Sequence, residues 1–435
     1  MGTEVITVLL FLCFFIVLFL GTPIAFALMG VGLLFSLIFL GPQQIVGAFL
    51  SSFGVMTNEI FLAGPLFVFM AAVLQSSGIA EDLLDVIYKW SGGLRGGLAI
   101  GVIIMCAVIA AMTGLGATAV IMMGLTALPE MRKHGYHDSI SVGCIPAGGT
   151  LGPLIPPSIL MIIIGGLSLT SIGKLFLSGI LPGILVTFLF CIYILVKCYL
   201  DPSLAPALSP EERATWKEKF ISAKGLILPL FLIVGVLGSI YSGAATATEA
   251  SAVGAFGALI VSLIHRRLTW ASLKKSLYMS MNIINMVMWI LIGGSILSSF
   301  ISAVGTARLM KELLLSLPTG PHLVIALMLL INIILGMFMD GSAITVICIP
   351  LFVPVVAALG FDLVWFGCLF TMALVIGMIS PPFGFNLFFM KGIVPKDVTM
   401  SDIYRYSIPF CLIEVLALAL CFFYPKIVLL IPNWM

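Results

Sequence analysis

The sequence predicts an all-α polytopic membrane protein built from two inverted repeats, with about ten transmembrane helices, two re-entrant hairpins and two helices broken at Pro-Pro. Three observations carry this. First, of 435 residues 61% are hydrophobic and only 9% charged, where a soluble domain carries about 25% charged residues. Second, apolar runs of roughly 20 residues, enough to cross a bilayer, recur from end to end, as at Val5–Leu20 and Leu226–Ile240. Third, LGPLIPPSI at 151–159 and IGMISPPFG at 376–384 break apolar runs in the same way, about half a chain apart. The short alternating segments of a transmembrane β-barrel are missing from the sequence. The first apolar run has no A-x-A cleavage site after it and reads as a retained helix.

The halves overlay with an offset of about 225 residues. Gly152-x-x-x-Pro156-Pro157 falls on Gly377-x-x-x-Pro381-Pro382. Met112, Gly116, Pro129 and Gly135 fall on Met337, Gly341, Pro354 and Gly360. Gly78-x-Ala80 falls on Gly305-x-Ala307, and Thr22 and Gly30 on Thr246 and Gly254. The first repeat is read as 1–200, the second as 225–435, and 201–224 as a polar cytoplasmic linker.

Each repeat opens on two helices, near 3–20 and 22–40, then near 225–242 and 246–264. A third follows near 59–76 and 281–302. Next come AEDLLDVIYKW and TARLMKELLLSL, amphipathic and too charged to cross lipid. Long apolar runs interrupted by glycine at their middle follow, at about 97–130 and 321–356. Then come the broken helices, about 139–168 and 363–390, and a closing helix.

Each long run is either one tilted helix or a hairpin of two shorter ones, and charge placement chooses. With hairpins each repeat crosses five times, and an odd number inverts the second repeat. One side then receives Lys89, Arg95, Arg132, Lys133, Lys197, Arg213, Lys217, Lys219, Lys224, Arg266, Arg267, Lys274, Lys275, Lys391, Lys396 and Arg405; the other receives Lys174, Arg308, Lys311 and Lys426. Sixteen against four is a positive-inside pattern that a single crossing degrades. Both termini are therefore expected outside the cytoplasm.

Proline removes an N–H and pushes away the carbonyl four residues back. Pro156 and Pro157 are expected to free the carbonyls of Gly152 and Pro153, and Pro381 and Pro382 those of Gly377 and Met378. In lipid, irregular backbone survives where it lines a cavity or holds an ion. The hairpin tips offer more oxygens, from Gly114, Gly116 and Thr118 in the first and Asp340, Gly341, Ser342 and Thr345 in the second. Two sodium sites near the midplane are expected from these groups. The half-helices restarting at the prolines point their positive ends inward, which suits an organic anion. Thr150, Ser158 and Asn386 are candidate substrate contacts.

Other polar residues are less decisive. Asp340 either balances sodium charge or N-caps the second hairpin arm, and Leu115 takes its place in the first tip, so the two sites should differ. Glu249 is either a coupling residue or a packing group, and Glu414 reads as structural. Asn282, Asn285 and Asn332 read as interhelical glue. The nine cysteines, without a C-x-x-C, read as small buried hydrophobes. His134 and His137 lack a third ligand, so no metal centre is expected there. A net charge of +2 is too small to suggest nucleic acid.

GTPIAFAL, GLGATAV, GGTLGPLIPPS, ATATEASAVG and MDGSAITVICIPLFVPV followed by SPPFGFNLF resemble the large membrane subunit of tripartite ATP-independent periplasmic (TRAP) transporters over nearly the whole chain. The resemblance implies sodium-driven import of organic acids such as C4-dicarboxylates, sialic acid or related carboxylates and sulfonates, across the bacterial inner membrane. It implies a four-helix small membrane subunit, here a separate chain, and a periplasmic substrate-binding protein. It also implies an ion-transporter fold of elevator type, in which hairpins and broken helices move as one body. Ala247 departs from the family's frequent proline, which questions a helix break there. A sodium- or proton-coupled carboxylate symporter working without a binding protein shares this architecture. A channel needs a continuous polar pore, and two inverted half-pores argue against one. A membrane enzyme needs a core cluster of His, Asp, Cys or Ser, and the histidines are peripheral, so no enzyme is expected.

Overall fold

Helix starts follow from side-chain caps. Thr215, Thr246, Thr269 and Thr399 each accept a bond from the backbone N–H three residues on, and the side chains of Glu218, Glu249, Ser272 and Asp402 in turn accept one from the cap's own N–H. This reciprocal box satisfies two otherwise orphaned donors. The computed structural model describes residues 2–207 and 213–434, with the side chains of 79–84 and 226 outside the description. Part of the linker read at 201–224 and part of the AEDLLDVIYKW face therefore lie outside the described residues.

Helices Thr3–Phe19 and Ile24–Leu40 open the chain, and Trp216–Tyr241 and Ala247–Ile264 open its second half. The next element differs between the halves. In the second half Trp270–Val304 runs 35 residues unbroken. In the first, Gln44–Met56 stops and the chain restarts as Glu59–Leu62 and Ala63–Ser76. The cause is Asn58, whose carboxamide oxygen accepts from the Ile60 N–H at 3.0 Å and caps a new start. Helices Ile79–Ser91 and Thr306–Leu315 follow, each after a glycine in the left-handed region, Gly78 at φ 74° and Gly305 at φ 83°.

Gly97–Thr113 and Gly116–Lys133 form a tight pair, with the Leu98 N–H donating to the Tyr136 hydroxyl at 3.1 Å where the pair opens. Pro321–Gly336 and Gly341–Ala358 form the other, with His322 edge-on to Phe361 across its open end. The broken helices are Asp138–Gly149 with Leu151–Leu154 and then Ile159–Ser168, and Leu363–Met378 followed by Phe385–Lys391. Ile172–Leu200 and Met400–Phe423 close the two halves.

Among the described residues seven helices are long and apolar enough to cross a membrane, and Trp216–Tyr241 makes an eighth if its two segments, bent by 53°, count as one. Gly341–Ala358, read from the sequence as a hairpin arm, is one of the seven. In an apolar 18-residue stretch of each, Asp138–Ser168 is 89% buried and Ile172–Leu200 only 33%. The broken helix is thus the centre of the molecule and Ile172–Leu200 its wall. Every residue from Val364 to Gly377 is buried as well.

End contacts sort the termini of the helices. At one end Arg267 donates to the Ser77 carbonyl (3.0 Å), Trp90 to that of Lys219 (3.1 Å), Gly96 to that of Ala205 (3.2 Å), and Arg132 pairs with Asp138 and Asp397. At the other, Thr3 donates to the Val304 carbonyl (3.3 Å), Thr7 pairs with Thr306 (2.9 Å), and Thr248 donates to the Glu59 carbonyl (3.3 Å).

Candidate functional site at the two helix breaks

The first break follows from its prolines. The Ile155 N–H makes the last helical bond, to Leu151 at 2.8 Å, and the chain is extended at Ile155 and again at Ser158. The Pro156–Pro157 peptide is cis, as is Pro381–Pro382. Ser158 then caps the next half-helix, accepting from the Met161 N–H at 3.3 Å, and donates its hydroxyl proton to the Pro153 carbonyl. The Pro153 carbonyl, expected to be free, is therefore engaged in this conformation.

At the second break the Ser380 N–H donates to the Gly377 carbonyl at 3.2 Å, tightening the last turn, so Gly377 is engaged too. The Ser380 hydroxyl donates to Ile376 at 2.7 Å. Tyr404, on the closing helix, donates its hydroxyl to the Pro382 carbonyl. The Gly384 N–H donates to the Met337 carbonyl at 3.1 Å, joining this loop to the second tip.

Each tip packs on a break backbone to backbone. A Cβ on Gly114, which sits at φ 62°, would lie 2.3 Å from the Pro157 carbonyl oxygen; one on Gly116 would lie 2.4 Å from that of Gly149; one on Gly152 would lie 2.5 Å from the Gly116 nitrogen. Gly377 rests on Gly336 in the same way, at 2.6 Å from its Cα. The two centres also touch each other. Met378 Cε is 3.5 Å from where a Gly116 Cβ would be, and Leu160 lies 3.1 Å from that of Gly341. Two tips and two breaks form one packed unit.

Asp340 caps Gly341–Ala358, accepting from the Ser342 N–H at 2.8 Å. Leu115 offers no side-chain cap in the first tip. Thr345 donates back to the Gly341 carbonyl at 2.7 Å. The Thr118 hydroxyl has no protein partner among the described residues, whereas the Ser342 hydroxyl bonds the Asp340 carboxylate. Thr118 lines a small void of about 10 Å³ with Gln75, Thr113 and Met279, at the seam between the first tip and helices Ala63–Ser76 and Trp270–Val304. An apolar void of about 20 Å³ lies along the same helices past Val68, Ile283 and Ile159. An open vestibule of about 530 Å³ is bordered by Thr170, Ser171, Thr246 and Thr248.

The three candidate substrate residues face inward in this conformation. Thr150 lies against Glu414, Ser158 on Pro153, and Asn386 donates to the Pro146 carbonyl at 3.1 Å. All are at most 1% exposed, and none lines these three cavities. Asn386 nevertheless joins the two breaks, since its amide nitrogen is 3.0 Å from where a Gly149 Cβ would be.

Glu249 resolves as half of the Thr246 capping box and is exposed. Ala247 is the first residue of that helix, so no break exists there. Asn332 ties its helix to the Phe370 carbonyl at 2.8 Å, as interhelical glue does. Asn282 and Asn285 differ from that reading, because both lie on the exposed face of Trp270–Val304. His134 bonds Glu130 and His137 bonds Ser139; among the described residues no three His, Cys, Asp or Glu come together.

Sequence reasoning missed Gln75, Tyr404 and the setting of Glu414. Gln75 carried a visible signal, a lone amide in an apolar helix; its carbonyl oxygen is buried without a partner. The contacts of Tyr404 and Glu414 depend on how the closing helix packs, which no local pattern encodes.

Comparison with known proteins bears on this geometry. The chain is similar to the C4-dicarboxylate TRAP transporter large permease protein DctM of Pseudomonas aeruginosa, 31% identical over 92% of each chain. It is similar to the sialic acid TRAP transporter large permease protein SiaM of Vibrio cholerae, 30% identical over 96% of each. Its fold resembles the YdaH transporter of Alcanivorax borkumensis, with a TM-score of 0.61 at 15% identity over 92% of this chain and 90% of that one. It also resembles MtrF of Neisseria gonorrhoeae, with a TM-score of 0.63 at 13% identity over 89% and 85%. The family described as "Tripartite ATP-independent periplasmic transporter, DctM component" matches residues 11–427. This multi-pass membrane protein therefore belongs to the DctM family, the large permease proteins of TRAP transporters.

Proposed function

We propose that the chain is the sodium-coupled permease of a system importing an organic acid anion: a C4-dicarboxylate, a sialic acid or a related carboxylate or sulfonate. The observation that carries this reading is the twofold packing of a glycine tip against a Pro-Pro break within a family of TRAP permeases. Two sodium ions are assigned to oxygens at the two centres. Gly114, Gly116, Thr118, Gly152 and Pro153 serve the first; Asp340, Gly341, Ser342, Thr345, Gly377 and Met378 serve the second. The donor set suits a hard cation, being oxygen throughout. Thr118 and Ser342 hydroxyls have spare acceptor capacity, and Ser158 and Ser380 hold the Pro153 and Gly377 carbonyls when no cation does. Thr150, Ser158 and Asn386 are assigned to the substrate in a state where the breaks have parted.

Matched conformations support an inverted duplication. Gly78 and Gly305 share left-handed φ, as do Gly135 and Gly360 at 76° and 75°, and both Pro-Pro peptides are cis. With hairpins re-entrant, the end carrying Arg132 and Arg267 faces the cytoplasm and both termini face the periplasm. The cavities along the seam support an elevator motion of the packed unit against Ala63–Ser76 and Trp270–Val304. A small four-helix membrane subunit and a periplasmic binding protein complete the system at the inner membrane, as the family implies.

The test is uptake of labelled anions into vesicles holding the complete system. A sodium gradient should drive accumulation, and Thr118→Ala and Ser342→Ala should each raise the sodium needed for half-maximal rate, by about 1–2 kcal/mol of lost interaction. Uptake that ignores sodium and follows a proton gradient in wild type and both variants would overturn the sodium assignment.

A further inference from the structure

Glu414 lies in the middle of the closing helix, 2% exposed, with one carboxyl oxygen against the Thr150 hydroxyl and the other buried without any partner. Counting hydrogens shows where its proton must be. The Thr150 hydroxyl oxygen is also 2.6 Å from the Ala147 carbonyl, and it has one hydrogen to give. If that hydrogen points at an ionised Glu414, two acceptors stand 2.6 Å apart in a dry interior with nothing between them. If it points at Ala147, the contact with Glu414 needs a hydrogen from Glu414. Only the protonated acid satisfies both contacts, donating O–H to Thr150 while Thr150 donates to Ala147.

The surroundings agree. The ionisable groups on the elements packed against the closing helix are Asp138 and Cys144 on the first broken helix; Lys174, Cys191, Tyr193, Lys197, Cys198 and Tyr199 on Ile172–Leu200; Cys368, Lys391 and Lys426 elsewhere; and Asp402, Tyr404, Arg405, Tyr406, Cys411 and Cys421 on the helix itself. None bonds Glu414. Lys197 is held by the Tyr193 hydroxyl (2.9 Å) and Lys391 by the Val398 carbonyl (2.6 Å). Among the described residues no cation pairs with Glu414, and an unpaired buried charge is strongly disfavoured.

The position gives the proton a consequence. Thr150 stands two residues before Gly152 at the first break. One turn back from Glu414, Cys411 lies 3.2 Å from the Ser380 hydroxyl beside the second break. The closing helix thus touches both breaks, through Glu414 and through Cys411. We propose that Glu414 is a proton-holding site that ties the closing helix to the first break, and that losing this proton loosens the tie and slows transport. The neutral form is the stabilising one, so its contribution is whole below the pH at which an exposed glutamate ionises, weakens by up to tenfold per pH unit above that, and is gone once the buried acid has itself ionised.

Infrared spectroscopy of the complete permease in lipid tests this. At neutral pH the wild type should show a buried carboxylic C=O band, shifted by deuterium exchange, that disappears reversibly under alkaline conditions. Glu414→Gln, which keeps a donor towards Thr150 and an uncharged oxygen, should lack that band and should flatten the alkaline fall in both melting temperature and uptake rate. If the variant does not accumulate, the titration of the wild-type band decides alone. A wild-type spectrum with no protonated carboxyl at neutral pH, or an alkaline fall in Glu414→Gln as steep as in the wild type, would overturn the proposal.

Discussion

Glycine at Gly116 and Gly152 is dictated by contact rather than by flexibility. A methyl group at either would meet backbone at 2.4 to 2.5 Å, and backbone cannot swing aside as a side chain can. Gly30, by contrast, has nothing within 4 Å of its missing Cβ and lies inside a helix. Gly116→Ala and Gly152→Ala should therefore each lower stability by about 1–3 kcal/mol through overpacking, and abolish uptake because the tip no longer seats. Gly30→Ala should be neutral or stabilise by about 0.5–1 kcal/mol, as alanine does in helices. Melting curves of the three variants beside uptake rates check this; equal behaviour at all three sites would contradict the packing account. The positions of these glycines were legible, because GLGAT and GGTLGPLIPPS carry too many helix breakers for an apolar span. The state of the carbonyls was not. Whether Pro153 and Gly377 offer free oxygens depends on Ser158 and Ser380, whose hydroxyl and amide turn back onto them. A rule about proline N–H groups says which bonds are lost, not which neighbours replace them.

The helix beginning at Ala247 shows how a cap decides the meaning of its neighbours. Thr246 is extended, at φ −69° and ψ 163°, and with Glu249 closes a reciprocal box. Glu249 is thereby occupied, and Ala247 stands at the first helical position, where an N–H has no helical acceptor and proline fits. Ala247→Pro should leave melting temperature unchanged or raise stability by up to about 1 kcal/mol, with transport intact. Thr246→Ala should cost about 0.5–2 kcal/mol, the usual value of an N-cap. Loss of folding in the proline variant would show that the helix starts elsewhere. The spacing Thr-x-x-Glu makes this cap readable from sequence alone. The asymmetry of the third helices was harder to see. Gln44–Met56 ends and restarts because Asn58 captures the Ile60 N–H, while Trp270–Val304 continues. Asparagine both caps and glues, and only packing selects between the two. The same ambiguity left Asn282 and Asn285 misread, since a helix face shows its neighbours only once the bundle is assembled.

At the scale of the molecule, the end contacts give the charge sorting a physical frame. Arg267 reaches Ser77, Lys219 receives Trp90, and Arg132 bridges Asp138 and Asp397, so positive segments from both halves meet at one end. A cysteine at Ser203, in the linker at that end, should resist an impermeant maleimide in intact spheroplasts and react after lysis; ready labelling before lysis would reverse the orientation. The all-helical membrane class was legible at this scale because long apolar runs with few charges survive any local misreading. The cavities were not, because each is lined by helices far apart in the chain, as where Ala63–Ser76 and Trp270–Val304 meet the first tip or Ile159–Ser168. Those cavities bear on how substrate is captured. No lysine or arginine lines any of the three along the seam, and none occurs in either tip or either Pro-Pro loop. Under the proposed function an organic acid would then be held by hydroxyls, amides, the proposed sodium ions and helix ends, the last worth about 0.3–2 kcal/mol each. Such a site binds weakly, and high-affinity capture falls to a protein that delivers the anion at high local concentration. Vesicles containing this chain and its small subunit, but no binding protein, should transport negligibly at micromolar substrate and recover when the binding protein is added on the external side. Robust micromolar uptake without it would mean that the permease holds its substrate tightly by itself, and the system would be a stand-alone symporter.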